Sequence, residues 1–136
     1  MNSNFGYLND ILKQIYKGEK LTINKIDMIG SRKSKKTVNT VLFSLKACLL
    51  NKKVKIFIFR NMSDQLSDTW KELKSWLYLE FYNINWEISE TRKTINYLGS
   101  EIECRSLHKI NNKDVKLTGL PSCSNYDYVI RFTDER

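Results

Sequence analysis

The run Val54-Lys55-Ile56-Phe57-Ile58-Phe59 places the tightest constraint on the fold. It is β-branched and aromatic apart from one lysine, and reads as a buried strand. Helical patterns flank it on both sides. Upstream, Val38, Val41, Leu42, Leu45, Cys48 and Leu49 recur at i, i+3, i+4, i+7, i+10 and i+11, the clearest helix in the chain. Downstream, Leu66, Trp70, Leu73, Leu77 and Phe81 mark a second long helix over residues 63–81. Before the first of these helices, residues 21–29 alternate imperfectly through Leu21, Ile23, Ile26, Met28 and Ile29 and read as another strand. A strand–helix–strand order implies a parallel sheet covered by helices.

The remaining segments fit around this frame. Phe5, Leu8, Leu12 and Ile15 share one face of a helix over residues 4–17, which Gly18 stops. After residue 81 the period changes: Ile84, Trp86 and Ile88 alternate, then Ile95 and Tyr97, then Ile102 and Cys104. Gly99-Ser100 reads as a hairpin turn between the last two runs. Residues 106–125 are polar and loop-like, and the run from Tyr126 to Thr133 is a final strand. The expected architecture is α/β: a mostly parallel sheet flanked by helices, of the P-loop NTPase kind, with an antiparallel hairpin added at one edge. The 136 residues have room for one domain, with a helix in residues 1–18 and the core in residues 20–136.

Twenty-three basic against fifteen acidic side chains give a net charge of +8, which suits a polyanionic partner. The abundance of Lys, Asn and Ile fits an AT-rich genome and discounts lysine-based motifs. Cys48, Cys104 and Cys123 form no Cys-x-x-Cys pair, which argues against a zinc site or disulfide framework and for a reducing, cytoplasmic setting. No signal peptide is visible, and no apolar stretch approaches the ~18 residues of a membrane span.

The polar turn Gly30-Ser31-Arg32-Lys33-Ser34-Lys35-Lys36-Thr37 lies between the predicted first strand and the strongest helix. A strand, a glycine-led turn and a helix form a phosphate cradle, because backbone N–H groups at the helix start point outward and the dipole favours an anion. In the pattern G-x-x-x-x-G-K-[ST], Gly30, Lys36 and Thr37 occupy three of the four fixed positions, and Lys35 stands at the second glycine. Lys36 would reach the β- and γ-phosphates of a nucleotide, and Thr37 would offer its hydroxyl to Mg²⁺. A basic turn before a helix is the alternative reading. Asp134 and Glu135 follow the final strand, where Asp134 would hold the metal and Glu135 would polarise the attacking water. The alternative there is a solvated, charged tail.

At these residues the chain resembles the large terminase subunits of tailed bacteriophages, the ATP-driven motors that package DNA. That family often writes its Walker A as G-x-R-x-S-x-K-[ST], and its residue before the lysine need not be glycine. The run from Val54 to Phe59, then Arg60 and Asn61, then the helix through Leu66, Trp70 and Leu73, is similar to the family's second strand and helix. Gly99-Ser100-Glu101-Ile102 and Val115-Lys116-Leu117-Thr118-Gly119-Leu120 resemble its stretch before Walker B, which Asp134-Glu135 then matches. The resemblance covers residues 20–136. It implies ATP and Mg²⁺ as cofactors, Gly30 to Thr37 as the nucleotide loop, and Thr37 and Asp134 on the metal. It also implies Glu135 as the base and Arg32 as a cis arginine on the γ-phosphate. Implied partners are double-stranded DNA, the portal protein and the small terminase subunit, in a bacterial host cytoplasm. The family's coupling motif and nuclease domain are not in these residues. The chain is therefore expected to be an N-terminal fragment, from a prophage gene, with feeble or no ATPase activity alone.

Other residues carry less chemistry. His108 reads as a loop residue, Trp70, Trp76 and Trp86 as packing, and Cys48 and Cys104 as inert residues on apolar faces. Ser122 and Ser124 lack a matched His–Asp set. Lysines 33, 35, 36, 52, 53 and 55 cluster as a basic face, solvated or turned toward DNA. The rival function is a non-catalytic basic nucleic-acid-binding module or an inactive prophage remnant.

Overall fold

The structure is a computed structural model that describes residues 6–20, 25–27, 36–60, 63–106 and 126–134. The elements are α1 (Gly6–Lys17), β1 (Lys25–Asp27), α2 (Lys36–Ala47), β2 (Val54–Arg60), α3 (Ser63–Glu80), β3 (Glu87–Ser89), β4 (Thr94–Tyr97), β5 (Ser100–Ser106) and β6 (Tyr128–Asp134). The six strands form one mixed sheet in the order β1-β6-β2-β5-β4-β3. The pairs β1–β6, β6–β2 and β2–β5 are parallel, and β5–β4 and β4–β3 are antiparallel. The domain is therefore α/β, and the antiparallel strands β5, β4 and β3 fill one side of the sheet out to its edge, as expected. The second arm of the hairpin, β5, also pairs parallel with β2 and so joins the two parts.

All seven residues of β2 are buried. Their even members, Ile56 and Ile58, lie in register with Ile102 and Cys104 of β5 and with Ile130 and Phe132 of β6. These side chains form one apolar cluster with Leu8, Ile11 and Ile15 of α1, Val41, Phe43 and Leu45 of α2, and Trp70, Leu73 and Leu77 of α3. All three helices thus pack on the same face. Phe43 meets Phe132 edge to face, with ring centroids 5.4 Å apart.

The middle helix departs from a simple stripe. Thr40, Val41, Phe43, Ser44, Leu45, Ala47 and Cys48 are all buried, because α2 touches both α1 and α3 as well as the sheet. Ser44 is tolerated inside because its hydroxyl donates to the Thr40 carbonyl oxygen at 2.8 Å. In α1 the buried set is Leu8, Ile11 and Ile15, with Leu12 only partly covered, while Phe5 lies outside the described residues. The helix ends where expected. Gly18 takes φ +76°, its N–H donates to the Ile15 carbonyl at 3.0 Å, and the Glu19 N–H reaches the Gln14 carbonyl at 2.8 Å.

The hairpin turn sits one residue earlier than the sequence suggests. Tyr97 pairs with Ser100, and the two central residues are Leu98 (φ +47°) and Gly99 (φ +88°). Positive φ at both matches the twist of the flanking strands, and Leu98 accepts the strain with its side chain exposed. Ser100 begins β5 and staples it to the approach of β2. Its hydroxyl donates to the Lys52 carbonyl at 2.8 Å and accepts from the Val54 N–H at 3.0 Å.

The other face of β2 carries Lys55, Phe57 and Phe59, with the two rings stacked 5.6 Å apart. Lys55 is only 1% exposed and bonds to Glu101 and, at 2.9 Å, to Glu103; Arg105 Nε adds a bond to Glu103 at 2.5 Å. Lys55 therefore does not belong to the basic face expected of the lysine cluster. Its ammonium is taken out of water by two carboxylates and by the Phe57 ring, whose centroid lies 4.9 Å away. Burial pushes the Glu103 carboxyl up, but hydrogen bonds from Lys55 and Arg105 outweigh it and hold the pKa below the ordinary 4.5. Glu103 therefore stabilises the fold above its unfolded value of 4.5, and that contribution is lost as pH falls through the lower folded value. Lys55→Ala leaves buried Glu101 without its cation and Glu103 with Arg105 alone, and is expected to cost about 3–5 kcal/mol in urea unfolding at neutral pH. The deficit relative to the parent should narrow as pH falls through the lowered folded value of Glu103, where its bond to Lys55 no longer counts. A deficit independent of pH would mean that Lys55 matters only through its packing.

Candidate phosphate-binding site

Strand β1 ends at Asp27 and α2 begins at Lys36. The intervening segment holds Gly30, Ser31, Arg32, Lys33, Ser34 and Lys35, which lie outside the described residues, as does Glu135. The described residues fix what this segment connects. Because β1 and β6 are parallel neighbours with Asp27 opposite Thr133, the chain leaves β1 and β6 at the same carboxyl edge of the sheet. Ligands of open parallel sheets sit outside that edge, where helix N-termini also point. Lys36 is the first residue of α2 and Thr37 follows it, with its side chain half-buried. Asp134 closes β6 and is the register partner of Arg60, the last residue of β2. Thr37 and the end of β6 thus lie at one edge of the sheet.

Arg60 is the residue that sequence reasoning placed only as a strand end. It is 8% exposed and lies on the helix side of the sheet. Its Nη1 donates to Thr69 Oγ1 of α3 at 2.7 Å and approaches Thr37 Oγ1 of α2 at 3.4 Å. The guanidinium therefore bridges the first turn of α2 and the second turn of α3. A signal was present in the sequence: an arginine directly ending an apolar, buried strand is a charge that must find partners inside. Thr69, fully buried, carried no such signal because a threonine in a helix reads as neutral.

The oxygen donor that the described side chains place at this edge is the hydroxyl of Thr37, in the first turn of α2. Such oxygens suit Mg²⁺, which takes one or two protein ligands and completes its shell with water and phosphate oxygens. Among the described residues no group of three or more His, Cys, Asp or Glu side chains is placed to hold a metal by itself.

The other residues singled out in the sequence fall into place as packing. Each indole N–H bonds within the chain: Trp70 to Glu90 at 2.9 Å, Trp76 to Glu72 at 3.1 Å, and Trp86 to the Phe81 carbonyl at 3.2 Å. Hydrogen bonds from Lys74 and Trp70 hold the Glu90 carboxyl below its usual range. A cleft at the opposite, amino edge is lined by Gly18, Glu19, Lys20, Lys52, Asp127 and Tyr128. His108, Ser122, Cys123, Ser124 and the stretch from Val115 to Leu120 lie outside the described residues. Among the described residues no helix is long and apolar enough to cross a membrane.

Compared with protein-family models, with curated proteins and with solved structures, the chain has no match in any of the three.

Burial pushes the thiols of Cys48 and Cys104 up to about 12, with nearby Glu101 and Glu103 adding to the effect. In a Cys123→Ser variant neither thiol should react with a disulfide reagent at pH 8 until denaturant is added, and both should react then. Rapid labelling of the native variant would show that the helix-side core opens locally.

Proposed function

We propose that the chain is a phosphate-loop domain of the terminase large-subunit type that binds Mg-ATP at the carboxyl edge of its sheet. The observation that carries the reading is the parallel register of β1 and β6, Asp27 opposite Thr133. It puts the end of β1, at Asp27, and the end of β6, at Asp134, at one edge, although they are about a hundred residues apart in sequence. The α2 start adds the direction of field that a polyphosphate needs. The parallel block β1-β6-β2-β5, with α2 linking β1 to β2, is compatible with a P-loop NTPase-like core.

In this reading the N–H groups of residues 30–35 cradle the phosphates. Lys36 neutralises the β- and γ-phosphoryl oxygens, and Arg32 adds positive charge where the γ-phosphoryl group develops negative charge. Thr37 and Asp134 would hold Mg²⁺, which supplies further charge neutralisation. Glu135 orients a water and accepts its proton. In a longer protein of this type, hydrolysis would drive double-stranded DNA into a prohead, with the portal and the small terminase subunit as partners. Two features favour this over a basic nucleic-acid-binding module: Lys55 is lost from the basic face, and the hydroxyl and carboxylate positions converge at the same edge.

Titration of the purified chain with a fluorescent ATP analogue and Mg²⁺ tests the proposal. Saturable binding is expected, weakened roughly a hundredfold by Lys36→Ala, since that lysine makes charge-assisted bonds to two phosphates. Binding that is unsaturable, falls steeply with salt and barely responds to Lys36→Ala would instead establish general polyanion binding.

A further inference from the structure

We infer that the exposed tyrosines and leucines around the end of α3 and the β4–β5 turn dock a basic amphipathic segment of another protein, an interaction that does not depend on the Mg-ATP reading above. The surface lies at the amino edge of the sheet, where α3 ends and β5 begins. Four large hydrophobic side chains are left in solvent there: Tyr78 at 60%, Leu79 at 67%, Tyr82 at 75% and Leu98 at 75%. They surround the half-buried aromatic residues Phe81, Trp86 and Tyr97. The pairing of Glu87 with Asn96 brings Trp86 beside Tyr97, with ring centroids 5.4 Å apart. The Trp86 indole N–H also donates to the Phe81 carbonyl at 3.2 Å. Tyr82, next to Phe81, and Leu98, next to Tyr97, therefore border one cluster. Single exposed apolar residues are ordinary, whereas several around one aromatic cluster mark a contact surface.

Leu98 is unfavourable in the free chain. It holds φ +47° at the first central position of a two-residue turn, where asparagine or glycine is far better accommodated. Its side chain gains no packing in return, because it is exposed. Strain kept without internal benefit is the mark of a contact made elsewhere. Charge sets the chemistry of that contact. Glu80 of α3 and Glu87 of β3 are exposed and make no hydrogen bond or ion pair among the described residues. The last turn of α3 has no basic residue, although α1 ends with Lys17 and α2 carries Lys46. Among the described residues no backbone N–H reaches the carbonyls of Tyr78, Leu79 or Glu80, and free carbonyls at a helix end favour a cation. Lys74 is held by Glu90, and Lys53 borders the surface at the turn, its Cγ 3.3 Å from the Cβ position of Gly99. Two carboxylates and a helix end against that one lysine leave the surface negative, on a chain whose net charge is +8. Lysines or arginines of a partner would pair with Glu80 and Glu87 and lie over the tyrosine rings, while its apolar residues meet Leu79 and Leu98. A nucleic acid would find rings to stack on but carboxylates beside them.

The probe is a short fluorescent peptide of lysine and leucine spaced as an amphipathic helix, with a glutamate and leucine analogue as control. Fluorescence anisotropy reads its binding to the purified chain. The parent should bind the basic peptide in preference to the acidic one, although the overall charge favours the reverse. Leu98→Asn should weaken that binding roughly tenfold, as expected for losing one apolar anchor, while raising the urea midpoint by relieving the turn. The double reversal Glu80→Lys with Glu87→Lys should weaken it severalfold and leave the helix intact, since a cation suits the end of α3. A leucine that served only the fold would not give lower affinity together with higher stability. Equal binding by the parent and both variants, or preference for the acidic peptide, would overturn the inference. A single-stranded oligonucleotide that displaces the peptide and is itself lost in Leu98→Asn would assign the surface to nucleic acid instead. Self-association in sedimentation that Leu98→Asn dissolves would assign it to a second copy of the chain, and either result overturns the docking of a basic segment.

Discussion

Strand β2 hydrogen-bonds on both edges, to β6 and to β5, and buries every side chain it carries. A strand in this position must be covered above and below, and each covering determines a part of the domain. Ile56 and Ile58 call for the three-helix layer, since burying them with Ile102, Ile130 and Phe132 gives the helices their common floor. At roughly 25 cal/mol per Å² of apolar surface removed from water, this layer is the main source of stability. The parallel ladders on either side also fix direction. Both helices that start after β1 and β2 begin at the carboxyl edge, where the candidate site lies.

The second face is organised by charge. Lys55 shares its ammonium between Glu101 and Glu103, and Arg105 closes the set. Taking such groups out of water costs more than a simple ion pair returns, so the cluster is poor evidence for added stability. It does constrain register. Lys55 lies opposite Glu101 in the β2–β5 ladder, with Glu103 two residues along on the same face. A slip of one residue would turn both carboxylates to the apolar helix layer, away from Lys55. An apolar strand pair could slide with less penalty. The cluster therefore accounts for how a hairpin arm is held parallel to β2 although its own partner, β4, runs the other way.

Much of this frame was legible in the sequence because periodicity reports burial. The spacing of Trp70, Leu73 and Leu77 located α3, and Gly18 located the end of α1. What periodicity missed has physical reasons. In α2 it singled out Val41 and Leu45 but not Thr40, Phe43, Ser44 or Ala47, because a helix with neighbours on both sides has no solvent stripe to read. It favoured Leu12 over Ile11 because two adjacent apolar residues both fit a helical face, and only the packing angle chooses between them. Lys55 was counted among surface lysines because its partners come from a strand 46 residues away. The turn was displaced by one because leucine at positive φ carries no sequence signal, whereas Gly99 beside it does. Of the site, the glycine-led turn, Lys36, Thr37 and Asp134 could be named from motif spacing. Their shared edge could not, since it depends on β6 inserting between β1 and β2.

That insertion joins the core to the site. With β6 between them, β1 and β2 are not neighbours, and Arg60 at the end of β2 is left across from Asp134. The alternation that places Ile56 and Ile58 in the helix layer also puts Arg60 there, one step beyond the last apolar residue on that face. The position is too buried for a solvated charge and too close to the edge to be filled by another isoleucine. An arginine fits because its aliphatic stem continues the packing while its planar head reaches Thr37 in α2 and Thr69 in α3. The packing pattern that makes β2 a core strand thus delivers one cation to the threonine that opens α2. The charge beside Thr37 is in this way a consequence of how the core is built.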